Sequence, residues 1–248
     1  MPSKKIALFW LLIFYFLYGD VMYEMVTTTE GMMGMGKSES LIRNFIKGKF
    51  MRTEVITQHP VLGEIKNISI VRLDKNVIWV LDEGKKEYTE LRLSENLADT
   101  IEIDTTLPLN IKVEKFNDKK TILKTECEKY VVNMEVKSSE GNATLIQTMW
   151  VGKDIPGYDE IVGFNEKFTG AGMGMLQGPM MGIDKESFRQ FREKISEIEG
   201  FPLETELSLT MEEGFSIKTK SEITKITTVP ISDKVFEIPE GYKLKEEK

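Results

Sequence analysis

The segment ISIVRLDKNVIWVLDEGKKEYTELRL, residues 68–93, predicts three antiparallel strands joined by two tight turns. The turns fall at residues 74–76 and 82–85, where Asp, Asn and Gly tolerate the left-handed backbone that hairpins require. Between them VIWVL, residues 77–81, is apolar without interruption, which is typical of a strand covered on both faces. In the last strand, Thr89, Leu91 and Leu93 share one face. The segment therefore predicts a curved meander that the rest of the chain must continue.

The same two-residue alternation recurs on both sides of this meander. Together with the meander it predicts about ten strands, which include residues 20–28, 41–47, 50–56, 128–137, 143–151, 203–211 and 215–223. A turn is predicted at residues 117–119. Residues 94–108 fit neither period and are interpreted as a loop, and residues 156–168 as an irregular connection with exposed aromatic side chains. No strand–helix–strand rhythm is present, so the sheet is expected to be antiparallel.

Residues 185–199 predict the one long helix. Asp184 is suited to cap its first turn, Phe188, Phe191 and Ile195 follow helical spacing, and Gly200 is suited to end it. The predicted fold is mainly β within the α+β class, a curved antiparallel sheet or open barrel with this amphipathic helix on its concave face.

Residues 1–19 have the features of a signal peptide. Lys4 and Lys5 precede an apolar run at residues 6–18, which would span only about 20 Å as a helix, less than the roughly 30 Å of a bilayer core. We expect cleavage near Gly19, a single mature domain at residues 20–248 and a periplasmic or secreted location. An uncleaved anchor is the alternative.

The charge balance argues against nucleic acid as a partner. The chain has 33 basic and 40 acidic residues, and loss of residues 1–19 with Lys4 and Lys5 leaves 31 basic against 40 acidic residues. Such a surface repels phosphates. We expect no nucleic acid partner and no transmembrane span after cleavage.

Cys127 and His59 are the only cysteine and histidine. The protein therefore has no internal disulfide, and thiol proteases and zinc sites built from several Cys or His are excluded. Glu126 and Glu128 flank Cys127 and would raise its pKa. Paired carboxylates are abundant but cannot be distinguished from solvated turns. We expect no enzyme and no cofactor.

Half of the 14 methionines fall in two glycine-rich segments, residues 31–36 and 170–182. Three interpretations remain open: a Cu(I) site built from thioethers, an adaptable apolar lid or protein-interaction surface, and loops that place their methionines on the core. These methionines are Met32, Met33, Met35, Met173, Met175, Met180 and Met181.

Several segments together resemble one family. They are RLDKNVIWVL (residues 72–81), KEYTEL (86–91), CEKY (127–130), GFPL (200–203) and VFEIPEGY (235–242). With these segments the chain resembles an exported bacterial domain of uncharacterised function, related to the LolA/LolB lipoprotein-carrier fold. The resemblance implies a curved antiparallel sheet around a hydrophobic cavity lidded by helices, used by the better-known relatives to hold acyl chains. It implies no site residue.

One amphipathic helix is little cover for the inner faces of about ten strands, and an incompletely covered apolar face tends to become a binding site. We therefore expect a non-catalytic binding protein for a lipid, a lipoprotein acyl chain or another apolar ligand, with an envelope protein as a possible partner. The expected ligand contacts are Trp79, Tyr130, Trp150, Met173, Met175, Met180, Met181, Phe188, Phe191 and Ile195.

Overall fold

The computed structural model describes residues 19–30, 36–59, 63–93, 109–138, 141–170, 190, 193–211 and 216–245. Within these residues the chain forms one open, curved sheet. Its twelve strands are β1 (Val21–Glu30), β2 (Ser38–Lys47), β3 (Phe50–His59), β4 (Gly63–Arg72), β5 (Val77–Asp82), β6 (Glu87–Arg92), β7 (Leu109–Ile122), β8 (Thr125–Ser138), β9 (Gly141–Gly152), β10 (Phe201–Met211), β11 (Ser216–Thr228) and β12 (Lys243–Leu244).

The strand order is β12-β6-β5-β4-β3-β2-β1-β11-β10-β9-β8-β7. The sheet thus consists of two antiparallel meanders, β1 to β6 and β7 to β11, which join where β1 pairs with β11. Bulges lie between Glu24 and Met25 in the β1–β11 pair and between Pro202 and Glu204 in the β10–β9 pair. Bulges bend the strands that contain them, so both help to curve the sheet around this joint.

The central meander is confirmed, with β4, β5 and β6 in antiparallel order. Asn76 and Lys86 close its two turns with positive φ angles of 58° and 55°. Val77, Ile78, Trp79 and Leu81 are buried, but Val80 is 39% exposed. The expectation that β5 is covered on both faces therefore holds for four of its five apolar residues.

The turn predicted at residues 117–119 and the predicted number of strands require correction. The turn predicted at residues 117–119 is instead a bulge within β7, between Phe116 and Lys119, and the turn follows at Leu123 and Lys124. The sheet also has twelve strands rather than about ten. Because a bulge and a turn both favour short polar residues, the sequence Asn117-Asp118-Lys119 is compatible with either.

Residues 156–168 were predicted to be irregular, and this prediction is wrong. Helix α1 runs from Tyr158 to Gly170, and its Ile161 and Phe164 are almost fully buried. The backbone carbonyl of Gly157 accepts hydrogen bonds from the amides of Glu160 and Ile161, both at 3.1 Å. Asp159 and Glu160 in the first turn and Lys167 in the last turn complement the helix dipole.

Of the helix predicted at residues 185–199, residues 185–189, 191 and 192 lie outside the described residues, and the predicted end is too late because residues 197–199 are not helical. Residues 190 and 193–196 are helical. The loop predicted at residues 94–108 and both methionine-rich segments also lie outside, except for Gly36 and Gly170 at their ends. Among the helical segments that the structure describes, none has the length and apolar character needed to cross a membrane.

The C-terminal segment, residues 229–242, crosses one face of the first meander. Ile231 and Phe236 are buried against Ile68, Ile70 and Trp79. Three cationic side chains donate hydrogen bonds to its carbonyl oxygens: Lys47 to Ile231 at 2.7 Å, Arg52 to Val235 at 3.4 Å and Arg72 to Phe236 at 3.4 Å. A 3-10 helix, Asp233–Phe236, lies within it, and β12 then pairs in parallel with β6. We call this segment the C-terminal strap.

Candidate ligand-binding face

The strand register divides the sheet into two faces. Starting from Val21, Tyr23, Met25, Thr27 and Thr29 on β1, cross-strand pairing identifies the positions that share their side of the sheet. We call this side the helix face, because α1 packs on it, and the opposite side the strap face, because the C-terminal strap covers part of it.

Charge is divided unequally between the two faces. On β1 to β4, β10 and β11, every Asp, Glu, Lys and Arg alternates onto the strap face, as Glu24, Arg43 and Glu54 do in one cross-strand row. The helix-face positions of these six strands hold none. In a chain with 29% charged residues, this part of the helix face is distinct from its two flanks, where Asp82 and Glu87 on one side and Lys115 and Glu128 on the other occupy helix-face positions.

Helix α1 covers one end of the helix face. Tyr158, Ile161, Phe164 and Phe168 pack in one cluster with the β1 and β2 core. Gly157, just before the helix, lies so close to Val21 that a Cβ atom there would be 2.1 Å from Val21 Cγ2. The start of α1 is thus seated directly on β1.

A second apolar area lies on the same face of the other meander. Tyr130, Val132, Met149 and Val151 form a buried cluster, and Ile195 and Ile198 pack against it. Ile195 also reaches a neighbouring cluster of Met134 and Leu145 with half-buried Leu207 and Leu209. Helix α1 and the segment at residues 193–199 therefore both pack on the helix face.

Rows of hydroxyl groups cross the helix face from the first meander to the second. Ser40 pairs with Thr57 at 2.8 Å and Thr27 with Ser221 at 2.9 Å, and Thr29 pairs with Thr219 at 3.3 Å in the next row. The first row continues into Thr205 on β10, Met149 on β9 and Tyr130 on β8. One row of the sheet therefore runs from hydroxyl groups directly into the second apolar area.

Asn44 and Tyr23 face each other across β2 and β1, nearer to α1. Asn44 is 3% exposed, and its Oδ1 accepts a hydrogen bond from Thr53 Oγ1 at 2.7 Å. Within the described part of the chain, no acceptor is paired with Asn44 Nδ2, and the Tyr23 hydroxyl has no hydrogen bond. Burial raises the pKa of Tyr23, so its hydroxyl stays protonated and is a donor.

The predicted ligand contacts do not all come together. Tyr130 and Ile195 meet on the helix face. Trp79 lies on the strap face beneath the C-terminal strap, where its indole Nε1 donates a hydrogen bond to Glu90 Oε2 at 3.0 Å. Trp150 alternates onto the strap face of β9, where Lys120 Nζ lies 5.6 Å from its ring centroid. Met173, Met175, Met180, Met181, Phe188 and Phe191 lie outside the described residues.

A buried carboxylate on the strap face was missed by the sequence reasoning. Glu204 is 5% exposed and pairs with Lys120 Nζ at 2.6 Å, with Lys220 Nζ at 3.8 Å. A hydrogen bond from Lys220 lowers the pKa of the neighbouring Glu222. Because both carboxylates are paired with lysines, this cluster is a satisfied ionic network rather than a general acid or base.

The described residues contain neither an activated cysteine nor a cluster that could hold a metal ion. Cys127 is buried, and burial raises the pKa of its thiol, which disfavours the reactive thiolate. No group of three His, Cys, Asp or Glu side chains that could hold a metal ion occurs in the part of the chain described. A cleft of about 510 Å³ at the β5–β6 turn is lined largely by polar and charged residues such as Lys66, Asp82 and Glu83.

One family model matches most of the chain. The profile of DUF4412, a domain of unknown function, matches residues 25–242, which include every strand except the start of β1 and the two residues of β12. The chain belongs to the DUF4412 family. No curated protein matches the sequence.

Among solved structures, this DUF4412 domain is similar to a LolA superfamily protein from Nitrosomonas europaea, with 9% identity, a TM-score of 0.32 and coverage of 88% of this chain and 90% of that one. A DUF1329 family protein from Desulfovibrio piger shows 11% identity, a TM-score of 0.33 and coverage of 89% and 90%. PNGF-II shows 10% identity and a TM-score of 0.29, and the match spans 31% of its length. LolA superfamily proteins are thus among the similar structures, as the sequence resemblance predicted, but at these TM-scores no argument about a ligand follows.

Proposed function

We propose that this DUF4412 domain is a non-catalytic binding protein that holds an apolar or amphiphilic molecule on its helix face. The observation that carries the proposal is the absence of charged residues from that face on six neighbouring strands. Water-exposed sheet surfaces normally carry charged side chains, as the strap face of the same strands does. A half-buried, uncharged surface is suited to a ligand that is itself mostly apolar.

The second apolar area is the proposed seat of the hydrocarbon part. Tyr130, Met149 and Val132 form its buried floor, and Leu207 and Leu209 extend it toward β10 while remaining half-buried. Burying eight methylene groups there would contribute roughly 6 kcal/mol before the costs of ordering the ligand. Such an affinity is suited to a carrier that must also release its cargo.

An extracytoplasmic location is part of the proposal and is supported by residues 1–19. The two lysines and the short apolar run are those of a cleaved export signal. Intact mass of the protein recovered from the extracytoplasmic fraction should correspond to a chain that begins near residue 20. A full-length species held in membranes would contradict cleavage.

Binding is tested by organic extraction of the purified protein with mass spectrometry, together with displacement of an uncharged fluorescent acyl ester. Leu207→Lys places a charge on the helix face and should abolish probe binding. Ile146→Lys is the matched control, because Ile146 lies on the strap face of the adjacent strand and is 42% exposed. If the protein carries no lipid and ignores the probe, or if both variants bind equally well, the proposed function is wrong.

A further inference from the structure

The helix face contains polar groups whose chemistry defines which amphiphile it accepts. Eight Ser and Thr hydroxyls lie in two adjacent cross-strand rows, and all eight residues are half-buried. They are Ser38, Thr29 and Thr219 in one row and Thr57, Ser40, Thr27, Ser221 and Thr205 in the other. Neighbouring strands are about 4.8 Å apart, so the longer row extends over roughly 19 Å.

We infer that the ligand of this face is an acyl ester with an uncharged, hydrogen-bonding head group, such as an acylglycerol, rather than a fatty acid anion or a phospholipid. The inference rests on the proposed function and specifies its ligand. The head group lies along the hydroxyl rows, and the acyl chain continues over Met149 and Tyr130 in the second apolar area.

The charge distribution explains why the head group is uncharged. A carboxylate or phosphate over the hydroxyl rows would be removed from water without a cation in the strands beneath it, because the helix-face positions of β1 to β4, β10 and β11 hold no Lys or Arg. Lys115, which follows Tyr130 at the far end of the longer row, is already paired with Glu128 at 2.7 Å. Transfer of an unpaired ion to such a surface is far more costly than transfer of a hydroxyl or ester. The face therefore selects against anionic amphiphiles of the same chain length.

The hydroxyl rows explain why the head group forms hydrogen bonds. Each hydroxyl can donate one hydrogen bond and accept two, so the pairs Ser40–Thr57 and Thr27–Ser221 keep acceptor capacity after binding each other. The head group's own hydroxyls can donate to them. A pure hydrocarbon would leave these groups without partners, which is unfavourable.

Asn44 and Tyr23 place two neutral donors on the same face, two rows from Ser40 and Thr27 and nearer to α1. Asn44 is only 3% exposed, and its amide nitrogen has no acceptor among the described residues. The Tyr23 hydroxyl beside it has no hydrogen bond there either. Neither group is a cation, so the part of the face next to the rows also offers no counter-charge to an anionic head group.

The test compares three ligands that share an oleoyl chain: monoolein, oleate and oleoyl lysophosphatidylglycerol. Each displaces the uncharged fluorescent acyl ester from the mature protein. We expect monoolein to bind at least about tenfold more tightly than either anion. Equal or tighter binding of an anion would overturn the inference while leaving the proposed function intact, whereas no binding by any of the three would overturn both.

The variant Thr27→Val with Ser221→Ala removes one hydroxyl pair and nearly preserves volume. We expect it to weaken monoolein binding by about three- to tenfold and to leave the binding of 1-octadecene, which has no head group, unchanged. Thr148→Val, on the strap face of β9, is the matched control. If the double variant does not fold, Thr29→Val with Thr219→Val tests the neighbouring pair, and unchanged monoolein binding in a folded variant would refute the role of the hydroxyls.

Discussion

Gly157→Ala should destabilise the domain, because this glycine lies where α1 begins against the sheet. Its φ angle is +71°, in the left-handed region that side chains disfavour. A Cβ atom at this position would lie 2.1 Å from Val21 Cγ2 and 3.2 Å from Thr228 Cγ2. Val21 is fully buried, so it has little room to move away.

The size of the effect follows from three contributions. The left-handed backbone costs a non-glycine residue about 1–2 kcal/mol, and an added methyl group in a filled core costs about 1–3 kcal/mol. Replacing Gly by Ala also restricts the unfolded chain, which offsets about 0.4–1 kcal/mol. The free energy of unfolding should therefore fall by about 1.5–4 kcal/mol.

Urea unfolding followed by circular dichroism measures this change, and thermal unfolding should show a decrease in Tm of roughly 3–16 °C. Gly163→Ala is the matched control in the same helix. Its φ angle is not positive, and a Cβ atom there meets no other atom within 4 Å. This control should be stabilised by about 0.5–1 kcal/mol, because alanine favours helix more than glycine does.

A double variant separates the steric contribution from the backbone contribution. Val21→Ala removes the methyl group that the new Cβ atom of Gly157→Ala would strike, so the two substitutions together should be about 1–3 kcal/mol less destabilising than their sum. If Gly157→Ala and Gly163→Ala have the same stability, or if the double variant is strictly additive, α1 does not begin against β1 as described.

Three further predictions concern the strap and the core. Phe236→Ala should lower the free energy of unfolding by about 3–5 kcal/mol, because this strap residue is fully buried against the sheet. Val229→Ala, at a 42% exposed position of the strap, should change it by less than about 0.5 kcal/mol, and urea titration of both variants measures the difference. A hydrogen bond from Arg72 lowers the pKa of Asp74, so this ion pair should stabilise the protein above the usual carboxyl pKa of about 3.9 and lose its contribution as the pH falls through the lower pKa of the folded state. Asp74→Asn should remove that part of the acid dependence of the urea midpoint, and an unchanged pH profile would contradict the pairing. Cys127 is fully buried with a raised thiol pKa, so iodoacetamide should modify it in urea and not in the native protein, as mass spectrometry would show; rapid native labelling would contradict its burial.

The sequence predicted the strands well where alternation and turn chemistry coincide. The meander at residues 68–93 and the strands that became β10 and β11 show both signals, and all are present. The strand that became β7 shows where local signals conflict, because a polar tripeptide marks a bulge as readily as a turn.

The sequence of α1 contains a helical pattern, although residues 156–168 are interpreted from the sequence as irregular. Tyr158, Ile161, Phe164 and Phe168 have helical spacing, with acidic residues in the first turn and Gly170 as the last helical residue. Two glycines and short length weakened the pattern. Burial of Ile161 and Phe164 on the sheet, a tertiary effect, stabilises the helix that propensity alone does not predict.

The candidate site was predictable only in part. Alternation placed Tyr130 correctly on the helix face, but the side on which Trp79 and Trp150 fall depends on the register across all the intervening strands. The hydroxyl rows likewise exist only after five strands from distant parts of the chain are aligned. No single strand contains more than a pair of these hydroxyls on the same face.

Because β1 pairs with β11, the sheet can finish folding only after the C-terminal part of the chain has been synthesised. Tyr23 and Ile226 are cross-strand neighbours although about 200 residues separate them. A ribosome or an export channel delivers β1 long before β11, so during synthesis the first meander has an unpaired edge strand and an uncovered strap face. An exposed edge strand such as β1 can pair with the strands of other chains. Contacts between residues as far apart in sequence as those of β1 and β11 form slowly during folding. A chain that ends before β11 would therefore contain two meanders that cannot join, and a chain that ends at residue 228 would have the whole joint but no C-terminal strap over the first meander.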